Sequence, residues 1–204
     1  MILEITPPPG EVTQWTPWSP RTWRRAFAYG TGLIGSTTAV GAASGAFGAF
    51  ARASAPIGQH MWVAGVAACA FAYGMHELAL IRLPTPQLQW QVPAQWSKYG
   101  KTTQALLYGV VLGAEIFTFI PYAAFYILIL LDATMGPAGG AALGFVYGLA
   151  RVSPTLKGTA YALRQGSADR IVGHIVGAGS RFHMMNGVAL TVVGAVLVGA
   201  LLTA

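Results

Sequence analysis

Apolar residues fall along this chain in long runs, broken by shorter stretches rich in Pro, Arg and Gln. The runs cover residues 26–51, 60–82, 103–131, 138–160 and 184–204. About 20 apolar residues suffice to cross the hydrocarbon core of a bilayer. The pattern therefore predicts an all-α fold, a polytopic membrane bundle of about five transmembrane helices. Residues 1–25 carry no such run. They form a Pro/Trp-rich segment without the h-region of a cleavable signal peptide. Trp15, Trp18 and Trp23 in it suit an interfacial aromatic belt.

Within the runs, small residues are placed for close helix contact. Residues 26–51 are rich in Gly, Ala, Ser and Thr, which predicts a helix enclosed by others. Gly41 and Gly45 have the small-xxx-small spacing, repeated by Gly109 and Gly113. Pro121, inside residues 103–131, removes a helix hydrogen bond and predicts a kink or break. The stretch DATMGPAGG (132–140) reads as a tight turn. Residues 161–182 mix polar and apolar positions and read as a loop with a short interfacial helix.

Composition narrows the class. Of 204 residues, 54% are apolar and only 9% charged, against about 25% charged in soluble domains. That excludes an ordinary cytosolic enzyme and a solvated disordered chain. The net charge is +6, but position explains it better than nucleic-acid binding. Of the 12 Lys and Arg, Arg21, Arg24, Arg25, Arg82, Lys98, Lys101, Lys157, Arg164, Arg170 and Arg181 fall on one side of the five-span scheme. Arg52 falls on the other, with Asp132. By the positive-inside rule this predicts a cytoplasmic N-terminus and an outside C-terminus, in the bacterial inner membrane. The implied partners are the lipid bilayer and either a membrane-protein partner or a second copy of the chain, with no nucleic acid.

Candidate chemistry lies in the ionisable groups within the runs, because such charges are costly and usually functional. These are Glu77, Glu115 and Arg151. Glu115 and Arg151 either neutralise each other across a hairpin, or Glu115 faces a cavity as a protonatable group. His76 and Glu77 are adjacent and point about 100° apart on a helix. With His60 and His183 they mark span ends. The 4 histidines lack ligand spacing, so no metal site is expected. Cys69 is the only cysteine, which excludes an internal disulfide and a CxxC pair; it reads as a small packing residue. There is no nucleophile–base pair or phosphate loop. The expected protein is non-enzymatic and without cofactor.

Three stretches resemble the CcdA/DsbD family of cytochrome c-type biogenesis and thiol–disulfide proteins. GMHELALIRLPTPQ (74–87) is similar to that family's G-x-H-x-x-G-L-I-R-L-P helix end. YGLARVSPTL (147–156) resembles its fifth helix. Thr118 to Pro121 stands where the family has C-x-x-P. The resemblance implies a fold lacking the family's first helix and both redox cysteines, so thiol relay by this chain alone is excluded. It further implies a small-solute or ion carrier, or an assembly factor for extracytoplasmic protein maturation. Glu115, Thr118, Pro121, Tyr122, Arg151, Ser153 and Pro154 would line its cavity, with His76, Glu77 and Cys69 as secondary candidates. The rival readings are an accessory subunit of a larger membrane complex and a partner-dependent redox protein using Cys69.

Overall fold

The computed structural model describes residues 20–54, 58–84, 93–114, 123–165 and 179–203. Their secondary structure is helical throughout: α1 (Pro20–Ser54), α2 (Gln59–Glu77), a 3-10 turn (Ala94–Lys98), α3 (Lys101–Ala114), α4 (Ala124–Gln165) and α5 (Gly179–Thr203). Three segments are long and apolar enough to cross a membrane: Arg21–Ser54, Ala124–Leu156 and Arg181–Thr203.

The helices pack in two groups that share α4. In the first, α1 lies against α3 and against most of α4. The contact between α1 and α4 is a seam of glycines. A Cβ on Gly41 would strike the Gly140 carbonyl, and one on Gly140 would strike the Gly41 carbonyl. Gly45 meets Gly136 in the same way, Gly48 meets Ala133, and Gly144 meets Thr37. The numbers rise along α1 as they fall along α4, so the two helices run antiparallel. Opposite them, Gly109 and Gly113 bring α3 against Tyr29, Leu33 and Ser36 of α1; both numbers rise together, and the pair is parallel. Lipid-exposed helices gain nothing from burying Leu against Leu. Close backbone approach through small residues supplies the attraction instead.

In the second group α2 packs on α5 and on the start of α4. Gly74 and Gly187 form this crossing: a Cβ on Gly74 would lie 2.7 Å from the Thr191 hydroxyl oxygen, and one on Gly187 would lie 3.0 Å from the Gly74 carbonyl. Buried Ala70, Ala123, Ile127 and Leu190 form the shared core, and Cys69 packs on it.

The expected turn at 132–140 contracts to one residue. Gly136 has φ 76° and ψ 176°, inside an otherwise helical α4. That conformation is essentially reserved for glycine. Pro137 follows, opening the second arm where a missing N–H costs least. Asp132 consequently belongs to the first arm and is 1% exposed, rather than lying in an outer loop.

Prolines leave the carbonyl four residues earlier without its helical donor, and both described prolines of α4 have this answered. The break at Gly136 and Pro137 leaves the Ala133 carbonyl, in the last turn of the first arm, without a helical donor, and it accepts from the Arg52 guanidinium of α1. Pro154 frees the Ala150 carbonyl, which accepts from the Ser153 hydroxyl at 3.0 Å. Arg52, read from sequence as a loop charge, thus clamps the break in α4.

α2 ends in a Schellman stop. Leu80 N–H bonds the Met75 carbonyl at 2.9 Å and Ala79 N–H bonds the His76 carbonyl at 2.9 Å. Ala79 holds the left-handed position, φ 59°, which glycine usually fills. The chain then doubles back, with Leu83 N–H donating to His76 Nδ1 at 3.0 Å and Tyr73 donating to the Pro84 carbonyl at 3.3 Å.

These contacts set three expectations for thermal unfolding in detergent micelles. Gly144→Val should destabilise by about 1–3 kcal/mol through overpacking. Gly65→Ala, where a Cβ meets nothing within 4 Å, should be neutral or raise the midpoint. Ala79→Gly should stabilise by about 1 kcal/mol, by removing a left-handed alanine.

Candidate functional site

Charged side chains buried among these helices define the candidate site. Glu77 closes α2 and is buried, its side chain 3% exposed. Both of its oxygens are used. Oε1 accepts from the Ala123 backbone N–H at 2.5 Å, at the entry to α4. Oε2 lies 2.5 Å from Nδ1 of His183, near the start of α5. One carboxylate therefore ties together the ends of three helices. The His183 ring is half exposed, so the junction runs from a buried carboxyl to an accessible imidazole.

The second buried charge is Asp132, beside the glycine seam. A Cβ on Gly41 would lie 3.3 Å from its Oδ2. Oδ1 is buried with no hydrogen-bond partner among the described residues. An orphaned polar atom of this kind is rare in native proteins and calls for a specific reason. The lack of side chains at Gly41 and Gly140 gives Asp132 its place against the α1 backbone.

Of the residues singled out from sequence, Glu115, Thr118, Pro121 and Tyr122 lie outside the described residues. Arg151 is partly buried and donates to the Leu112 carbonyl at 3.1 Å, fastening α4 to α3. Ser153 spends its hydroxyl on Ala150, and the Pro154 ring is exposed. His76 accepts from Leu83 N–H and so acts in the turn after α2. Cys69 packs against apolar neighbours. Among the described residues no three His, Cys, Asp or Glu side chains could hold a metal ion.

Sequence reasoning placed Glu77 and His183 separately at span ends and Asp132 in a loop. No local signal joins Glu77 to His183, 106 positions apart. Asp132 did carry a signal: it stands four residues before Gly136 at the end of an apolar run, where a helix arm could still enclose it.

Replacing Glu77 by Leu strands the Ala123 N–H and should lower stability by roughly 1–3 kcal/mol. Glu77→Gln keeps an acceptor for that N–H and should recover part of the loss. Chemical denaturation of the two variants side by side checks this; equal losses would place the cost in the pairing with His183.

No family model matches the chain, and no solved structure matches it. Relatives are found among curated proteins. The methylamine utilization protein MauF of Methylobacillus flagellatus is 31% identical over 112 residues, 54% of this chain and 38% of that relative. MauF of Methylophilus methylotrophus is 30% identical over 114 residues, 55% of this chain and 38% of the relative. The chain thus matches well under half the length of each. These similarities overturn the CcdA/DsbD assignment, together with the carrier and maturation roles it implied. Of the stretch 74–87 that carried part of the resemblance, the described residues 74–84 hold a helix stop built from Ala79, Leu80 and His76. What the chain resembles is MauF.

Proposed function

We propose that this protein is a polytopic membrane protein that serves methylamine utilization, the role for which the MauF proteins are named. The observation that carries the reading is the 31% identity over 112 residues. The helices support its membrane side. Val188, Val192, Val196 and Leu202 of α5 are all exposed, and outward apolar side chains at this spacing on a membrane-length helix suit lipid. We place residues 26–204 in the bilayer as five spans and residues 1–25 on the cytoplasmic side, following the excess of Lys and Arg. On this reading Asp132 is the functional carboxyl. A carboxyl with an unpartnered oxygen inside a membrane helix costs stability, and such groups persist where function uses them.

Deleting the gene in its native host should abolish or strongly slow growth on methylamine and leave growth on other carbon and nitrogen sources unchanged. Equal growth of deletion and parent strains on methylamine overturns the proposal. Complementation then tests the residue. Asp132→Asn should reach wild-type abundance in the membrane fraction yet restore methylamine growth at less than about half the wild-type rate; full restoration assigns Asp132 to packing.

A further inference from the structure

The first turns of α1 and α3 stand side by side and enclose a cleft of about 300 Å³, lined by Arg21, Arg24, Arg25, Gly100, Lys101, Thr102 and Thr103. Four of the seven lining residues are cationic and none is acidic. The cleft is assembled from distant parts of the sequence: Arg24 Nε donates to the Thr102 hydroxyl at 3.2 Å, across 78 positions.

The charges have the wrong sign for their place. A helix N-terminus carries the positive end of the macrodipole and favours Asp or Glu in its first turn. Neither α1 nor α3 has an acidic residue there. Instead three arginines and a lysine converge where two parallel helices both point their positive ends. The positive-inside rule asks for Lys and Arg on this side of a membrane, but it does not ask for them to surround one cleft. The first N–H groups of a helix have no acceptor within it, and in α3 they belong to Lys101, Thr102 and Thr103, which line the cleft. Free N–H groups, threonine hydroxyls and guanidinium groups are together the donor set for a phosphate group.

We propose that this cleft binds a phosphate group, carried by an anionic phospholipid head or by a free phosphate ion. At 1.5 Å per residue the 35 residues of α1 extend about 50 Å, past a hydrocarbon core of about 30 Å. With the apolar part of α1 spanning that core, Arg21, Arg24 and Arg25 come to headgroup level. There, basic pockets between helices take lipid phosphates. This site is independent of the methylamine reading, since it rests on its own geometry.

The test uses the full chain in detergent micelles. Its thermal midpoint is followed with phosphatidylglycerol, with phosphatidylcholine and with inorganic phosphate; sulfate at matched ionic strength is the reference. Phosphatidylglycerol should raise the midpoint well beyond phosphatidylcholine, and native mass spectrometry should show the retained lipid. A comparable rise with inorganic phosphate beyond sulfate would name the free ion as ligand and equally supports the site. Arg24→Gln with Lys101→Gln should weaken the effect at least tenfold, whereas Arg82→Gln, outside the cleft, should leave it intact. The proposal fails if neither phosphate source shifts the wild-type protein, or if the double variant responds as wild type does. If the double variant does not fold, Arg25→Gln alone replaces it under the same criteria.

Discussion

Backbone-to-backbone contact between α1 and α4 is the constraint from which the rest of the described structure follows. Gly41, Gly45 and Gly48 meet Gly140, Gly136 and Ala133 so closely that no side chain fits between. This fixes the register of the two longest helices. The register in turn sets Arg52 opposite the Ala133 carbonyl and holds Asp132 against the seam. It also leaves the other flank of α1 for α3. Apolar side chains alone would give no such register in lipid, where one apolar surface is as good as another.

The breaks in α4 are part of the same arrangement. A proline inside a helix is costly chiefly because it orphans a carbonyl. Here each orphan is matched to a donor within reach, one from the neighbouring helix and one from the preceding residue. Irregular backbone at membrane depth is sustainable only on these terms. Gly136 makes the break sharp, and Arg52 makes it tolerable.

How far the sequence disclosed this depends on the range of each signal. Helical runs are local, and the expected all-helical character and the small-residue pairs at Gly41/Gly45 and Gly109/Gly113 could be read directly. The turn at 132–140 was legible as a break, but its sharpness depends on a backbone angle at Gly136 that composition does not specify. Glu77 was legible as an unusual charge. Its partners, Ala123 and His183, come from helices whose placement no sequence spacing encodes. The stretch after Glu77 misled in another way, because a short run of matching residues stood for a family while the similarity to MauF extends over 112 residues. The basic residues could be counted along the chain, yet counting could not reveal that four of them share a cleft.

The Glu77–His183 pair also bears on how the protein is made. The carboxylate is placed in the chain 106 residues before its imidazole partner. At about 5–20 residues per second, a ribosome needs roughly 5–20 s to close that gap. Throughout that interval α2 has been synthesised without α5 to cover its carboxyl-bearing end. The junction of α2, α4 and α5 therefore closes only after α5 has been made. A chain truncated before α5 would keep the Glu77 contact to the Ala123 N–H and lose the one to His183, leaving the end of α2 open on that side.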